Sequence, residues 1–486
     1  MKYQFQKISE VEQRILPSAK EGMQVPVTVY ANEELLSKME TDRTLDQAVN
    51  VTYLRGVRKH VIVLPDGHEG YGFPIGGVAA TNFDTGVISP GGVGYDINCG
   101  VRLIRTNLHE KEIRLKLGAL VKAIFDAVPS GLGSSGAITL STSELERVLS
   151  DGIEWAIAGG YGTSRDREFC EENGRMKHCD HSKVSELAKK RGSKSLGTLG
   201  SGNHFLEIET VDRIFDNEAA RIMGLNSPGQ ICVLIHTGSR GLGHQVCSDY
   251  LRIVERSAEK YGIELPDREL ACAPAGTKEG EDYRLAMGAA LNFAWSNRQF
   301  ITNSVRRAFE RALSLSESDL QMDLVYDVAH NICKVEEHSV DLDNPQKKEK
   351  VFVHRKGATR AFPKGREEIP IVYRNLGQPV FIPGSMGTAS WVLLGQQKSL
   401  EASFGSTAHG AGRFLSRAAA TRAYPYPVVK QLLENRGIIL ESASRKGVVE
   451  EAPGAYKDVD TVAGVSDKVG IASKVCRLTP IAVVKG

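Results

Sequence analysis

His60-Val-Ile-Val-Leu-Pro65-Asp-Gly-His-Glu-Gly-Tyr-Gly72 joins an apolar run to a glycine-rich polar turn, and that junction is the key to the chain. A short apolar run bounded by Pro and Gly reads as a buried strand. The turn after it reads as a loop where a scaffold delivers polar side chains. The same arrangement returns where Ile231-Cys-Val-Leu-Ile235 meets His236-Thr-Gly-Ser-Arg-Gly241 and where Leu324-Val-Tyr-Asp-Val328 meets Ala329-His-Asn331. It returns again where Val351-Phe-Val353 meets His354-Arg-Lys-Gly357, and where Pro379-Val-Phe-Ile382 meets Pro383-Gly-Ser-Met-Gly387. Helices fall between these runs. Ser143 with Glu146 predicts a capping box opening a helix from Glu144 to roughly Ala158. Leu285, Ala289 and Phe293 predict a long helix over about Asp282 to Ala312. Strands and helices mixed in this way predict an α+β fold.

Composition limits the function. The chain has 486 residues, 41% hydrophobic and 25% charged, which suits a folded protein with a large core. Length alone suggests about three domains on the ~150-residue prior. Sixty-one basic against fifty-nine acidic residues leave a net charge of +2, so an anionic partner must be held by a local patch. The first residues lack the apolar run of a signal peptide, and no stretch of eighteen apolar residues occurs, which predicts a cytoplasmic protein without membrane contact. Eight cysteines scattered along such a chain read as reduced thiols, and Cys232, inside an apolar run, as a buried inert one.

Four stretches carry chemistry. In Gly91-Gly-Val-Gly-Tyr-Asp-Ile-Asn-Cys-Gly100, glycines let the backbone bend around Asp96, Asn98 and Cys99. A thiolate can bridge two metal ions while a nearby carboxylate suits a hard cation, although the run alone is equally a tight turn. Leu196-Gly-Thr-Leu-Gly-Ser-Gly-Asn-His-Phe-Leu-Glu207 offers backbone N–H groups to an anion, with Asn203 and His204 following, and matches neither common nucleotide-binding fingerprint. His236 and His330 stand at strand ends. Each histidine alone is more often structural than a ligand. Together with His204, Asp96 and Cys99 they predict one divalent-metal centre for phosphoryl transfer. The fourth stretch, Phe404-Gly-Ser-Thr-Ala-His-Gly-Ala-Gly-Arg413, surrounds His409 with small residues that leave room for a bulky ligand. His409 is then either a nucleophile toward phosphorus or a further metal-associated histidine. Ser385, Ser390 and Lys356 add hydroxyls and a cation. Cys170, His178, Cys179, Asp180 and His181 lack zinc-site spacing and read as a solvated polar loop. Asp341 to Lys350 reads as a solvated turn.

These motifs together resemble the RtcB family of GTP-dependent RNA ligases, from Asp66-Gly-His-Glu-Gly-Tyr-Gly-Phe-Pro-Ile-Gly-Gly77 to Lys485-Gly486. The resemblance implies one large α+β domain over residues 1–486, with a β-sandwich-like core of mixed sheets and helices outside. It implies joining of RNA 3′-phosphate or 2′,3′-cyclic phosphate ends to 5′-hydroxyl ends, in tRNA splicing and RNA repair. GTP is then a co-substrate and two manganese ions (Mn2+) are cofactors: one on Cys99, His204 and His236, the other on Asp96, Cys99 and His330. His409 would carry GMP. Asn203, Glu207, Ser385, Ser390, Ala411, Gly412, Tyr456 and Lys485 match guanylate-binding positions. Arg240, Lys356 and Arg413 would hold phosphates of RNA or nucleotide, and Asp66 and His68 would handle the hydroxyl proton. RNA is the implied partner, and archease a candidate activator. Two other readings stay open: a dinuclear phosphodiesterase, needing neither His409 nor Lys485, and a non-catalytic RNA-binding splicing subunit.

Overall fold

The expected strands form as Val57–His68, Gln230–Thr237, Asp323–Ala329, Lys348–Lys356 and Pro379–Pro383 in a computed structural model that describes residues 2–136 and 138–486. They belong to two large mixed sheets. A seven-stranded sheet runs Gln6–Lys7, Glu12–Ile15, Val27–Tyr30, Val57–His68, Ile75–Asn82, Lys348–Lys356, Asn331–Ser339. An eight-stranded sheet runs Asp323–Ala329, Gly100–His109, Gln230–Thr237, Phe205–Ile214, Ala472–Lys485, Ser390–Gly395, Pro379–Pro383, with Ile439–Ser442 added in parallel to Ala472–Lys485. Its two end strands approach each other, and the Tyr373 hydroxyl donates to the Val325 carbonyl at 2.9 Å, so this sheet is nearly closed. The fold is α+β, as expected.

The sheets meet at the chemistry-bearing turns. Asp323–Ala329 lies in one sheet and Asn331–Ser339 in the other, so the chain changes sheet at His330 alone. The buried strand Gly100–His109 starts directly after Cys99. Runs that are apolar on both faces, such as Gln230–Thr237, are buried throughout because sheet neighbours and helices cover them.

Behind the turns lies the helix Lys278–Leu313, capped by Thr277, whose side chain accepts from the Gly280 N–H. It is longer at both ends than its apolar spacing predicts, and it buries Asn292, Asn297 and Arg298 as well as its apolar stripe. Arg298 and Arg102 both donate to Asp327 Oδ2, at 2.8 and 2.7 Å, and all three side chains are fully buried. Arg298 also donates to the carbonyls of Asn98 and Thr237, each at 2.9 Å, and so ties the loops of Cys99 and His236 to the helix. Removing one partner of such a group leaves buried charge uncompensated. Asp327→Ala is therefore expected to cost about 3–5 kcal/mol of stability. Urea unfolding should show a lower midpoint at an unchanged slope.

Three expectations need correction. The helix expected from Glu144 to Ala158 is two helices, Thr142–Asp151 and Ile153–Ala158, and the capping box is made by Ser141 with Glu144. Gly152 separates them at φ +58°, where a Cβ would stand 2.4 Å from the Gly174 carbonyl oxygen. The segment from Cys170 to His181 is solvated only in part. Cys170 and Glu171 are buried, with Arg102 donating to Cys170 Sγ at 3.2 Å and Lys334 donating to Glu171 and Glu172 at 2.5 and 2.7 Å. His178 and His181 face Glu281 and Glu146 at 3.1 and 3.5 Å, so the segment packs against its neighbours and is not a free loop. Its residues form no metal-holding group among the described residues.

Candidate active site

Five donors converge where the sheets meet. Asp96 Oδ2 lies 2.7 Å from His204 Nε2, and Cys99 Sγ lies 3.4 Å from His204 Nε2 and 3.3 Å from His236 Nε2. His236 Nε2 lies 3.4 Å from His330 Nε2. Each histidine arrives from a different place: His204 from the glycine-rich loop before Phe205–Ile214, His236 within Gln230–Thr237, His330 at the change of sheet. Asn98 adopts φ +53°, a left-handed turn that asparagine tolerates, just before Cys99.

The donor atoms fall into two groups, Asp96 with Cys99 and His204, and Cys99 with His236 and His330. Cys99 belongs to both groups, and its Sγ lies within 3.4 Å of both His204 and His236. Burial, together with neighbouring positive charge, holds His236 and His330 well below the ordinary imidazole value. Both are thus neutral bases, the form that ligates a cation. Burial and then the Asp96 carboxylate push the Cys99 thiol well up. Burial also raises Asp96, but its contact with His204 and the Arg240 charge outweigh it and hold the carboxyl at about 2, while burial lowers His204 itself. Neutral imidazoles packed on a thiol and an ionised carboxylate make a crowded set of lone pairs. Such a set fits one or two divalent cations.

His409 stands beside this cluster, its ring 4.6 Å from that of His330. Asp66, fully buried at the end of Val57–His68, accepts from His409 Nδ1 at 2.6 Å and from the backbone N–H of His409 at 2.9 Å. The contact fixes the proton on Nδ1 and leaves Nε2 as the free base. Asp66 is therefore placed to hold the His409 ring. His68 lines the cavity with Nδ1 on the Asp66 carbonyl at 2.9 Å, and burial pulls it down to about 4.

A cavity of about 430 Å³ opens over both features. Asn203, Ser385, Ala411, Gly412, Tyr456 and Lys485 line it, as do Lys356 and Arg413. Glu207 and Ser390 are buried behind that wall: Glu207 accepts from the Gly387 N–H at 3.0 Å, and Ser390 donates to Glu209 at 2.7 Å. Burial raises both Glu207 and its neighbour Glu209, the latter to about 7. Lys485 donates to the carbonyls of Gly202 and His204, which ties the last strand to the glycine-rich loop. Arg413 donates to Glu451 at 2.8 Å and to the Glu450 carbonyl at 2.8 Å, so its guanidinium is already engaged. Arg240 lies beside the donors, 3.2 Å from His204 Nδ1.

The family model described as tRNA-splicing ligase RtcB matches residues 47–486. The chain belongs to the RtcB family. The protein named tRNA-splicing ligase RtcB from Thermococcus kodakarensis is 56% identical over 471 residues, covering 97% of each chain. Those of Pyrobaculum aerophilum and Nanoarchaeum equitans are 55% and 52% identical, each over 99% of both chains. This RtcB chain is accordingly an enzyme of a ligase family, and the resemblance seen in its motifs holds along almost its whole length. No helix among the described residues is long and apolar enough to cross a membrane.

Sequence reasoning did not find Glu451 or the Tyr71–Tyr95–His244 group. Glu451 is buried and takes Arg413, Arg417 and the Tyr456 hydroxyl. Nothing in its local sequence marks it. Lys356, by contrast, was legible, and burial pulls its ammonium down to about 7. Below that pH it is charged and attracts an anion; above it the charge is lost. Affinity for inorganic pyrophosphate is expected to fall about tenfold between pH 6 and pH 8.5, the loss of one charge-assisted hydrogen bond. Isothermal titration should show a flatter profile for Lys356→Met.

Proposed function

We propose that this enzyme joins an RNA 3′-phosphate or 2′,3′-cyclic phosphate end to a 5′-hydroxyl end at the expense of GTP, with GMP carried on His409 and two manganese ions as cofactors. The observation that carries the proposal is the Asp66–His409 contact beside the five donors. A dinuclear phosphodiesterase would use the donors and have no need of a buried carboxylate that frees His409 Nε2. A non-catalytic RNA-binding subunit would need neither. The relatives' printed name supports tRNA splicing as the setting, with RNA as partner.

Asn203, Ser385, Ala411, Gly412, Tyr456 and Lys485 bind the guanylate, with Glu207 and Ser390 behind them shaping the wall. Nε2 of His409 attacks the α-phosphorus of GTP. An N–P bond forms, the P–O bond to pyrophosphate breaks, and Asp66 balances the positive imidazole while its proton stays on Nδ1. An oxygen of the RNA 3′-phosphate then takes the GMP, which frees His409 and turns the 3′-phosphate into an electrophile with a good leaving group. Finally the 5′-hydroxyl attacks that phosphorus, loses its proton and displaces GMP. A cyclic end must first be opened by water to a 3′-phosphate. Manganese bound at the donors would polarise phosphoryl oxygens and neutralise developing charge.

Incubation with manganese and α-labelled GTP is expected to give an acid-labile, alkali-stable adduct whose labelled peptide contains His409. Label on any other residue, or none at all, would sink the proposal.

A further inference from the structure

We propose that Tyr71, Tyr95 and His244 form a stacking subsite for the base of the RNA 3′-terminal nucleotide, an inference that rests on the function proposed above. All three rings line the cavity. Tyr71 is 36% exposed, His244 is exposed and Tyr95 half-buried, so these aromatic surfaces face water in place of the core. Tyr95 and His244 stack, with centroids 4.7 Å apart and planes at 25°, and Tyr71 meets Tyr95 edge-on at 5.5 Å. His244 sits on the helix Arg240–Lys260, one turn after Arg240, and is held from behind by Tyr95. A base laid on the exposed imidazole would extend the stack.

A chain of contacts through the centre links this group to the proposed guanylate subsite. Tyr95 adjoins Asp96; Asp96 contacts His204 at 2.7 Å; and the His204 carbonyl accepts from Lys485 at 2.8 Å. The aromatic flank is linked to His409 through two residues: a Cβ on Gly357 would stand 2.9 Å from His409 Cε1, and the preceding residue, Lys356, donates through Nζ to the Tyr71 carbonyl at 2.7 Å.

Chemistry then selects the occupant. The RNA end that must come within bonding distance of the phosphorus on His409 is the 3′-phosphate end, so its last nucleoside lies within one nucleotide of His409. Lys356, charged below about pH 7, lies against the Tyr71 carbonyl beside the ring group and can meet an anion there. A single-stranded end offers unstacked bases, and stacking on aromatic rings holds any of the four without reading sequence. That tolerance suits a ligase that must seal ends of different sequence.

The test separates the steps, using the full chain with manganese. His244→Leu is expected to label His409 from α-labelled GTP as the wild type does. Its KM for a 3′-phosphate RNA, in the transfer of GMP to that end with no 5′-hydroxyl strand present, should rise roughly 5- to 100-fold. An RNA with an abasic 3′-terminal nucleotide should raise the wild-type KM by a similar factor and change that of His244→Leu by less than about twofold. His244→Phe, which keeps a ring face, should stay within about threefold of wild type. Equal KM values for wild type and His244→Leu, a KM rise confined to the 5′-hydroxyl strand, or full additivity of the abasic and His244→Leu effects would each overturn the subsite. A wild type that takes no label removes the ligase reading and the subsite together. Labelled His409 with an unmoved KM removes the subsite alone.

Discussion

Asp66→Asn is expected to slow guanylylation of His409 by about 10³- to 10⁴-fold, approaching the loss produced by His409→Ala, because it removes the group that sets the imidazole tautomer. Asp66 is fully buried, and a single oxygen, Oδ2, accepts from His409 Nδ1, the His409 N–H and the Gly410 N–H at 2.6, 2.9 and 3.3 Å. Burial would raise the carboxyl, but its contacts with His409 prevail and hold it below its usual range. Asp66 thus stays an ionised, acceptor-only group across neutral pH. An asparagine of the same shape can turn its amide N–H toward Nδ1. The proton then moves to Nε2, and the nucleophile is gone. An amide also lacks the negative charge that balances the imidazole once phosphorus is attached. Single-turnover labelling with α-labelled GTP measures the rate, and equilibrium binding of GTP should be nearly unchanged. A rate within tenfold of wild type would show that His409 does not depend on this contact.

How much of this could be read from sequence depends on whether the information was local. The strand-end turns were legible because an apolar run followed by Gly and a polar residue is a contiguous signal, and all five such strands are present. The five donors were legible as types, and Cys99 as the shared one. Which imidazole lies nearest Asp96 is set by how Gly100–His109, Phe205–Ile214 and Gln230–Thr237 pair, and no local pattern carries that. Asp66 was visible as a polar residue at a strand end, yet its partner lies 343 residues away. Cys170 and Glu171 looked solvated because their neighbours are charged. Lys334 and Arg360, from distant strands, neutralise that charge and let the segment bury. Ser141, and not Ser143, caps the helix: its side chain accepts from the Glu144 N–H at 3.3 Å, and its own N–H donates to the Glu144 carboxylate at 2.8 Å.

The second large effect is expected at Cys99, which belongs to both donor groups. Cys99→Ala should weaken manganese binding at both positions by more than about 100-fold, beyond the 10- to 100-fold typical of losing a group that merely supports a ligand. Cys99→Ser should behave like alanine, because a neutral hydroxyl does not ionise as a thiol does and cannot bridge two cations. Equilibrium dialysis against Mn2+ reads both number and affinity. The same measurement decides how the histidines are divided. If the donors act as they are grouped, with Asp96, Cys99 and His204 as one set, a His236→Ala, His330→Ala double variant leaves that set whole and retains one ion of near wild-type affinity. If instead His204 shares an ion with His236, and His330 shares one with Asp96, the double variant damages both positions and holds no tight ion. Two ions retained by Cys99→Ala at unchanged affinity would refute a shared thiolate, and with it the reason for a buried cysteine among these imidazoles.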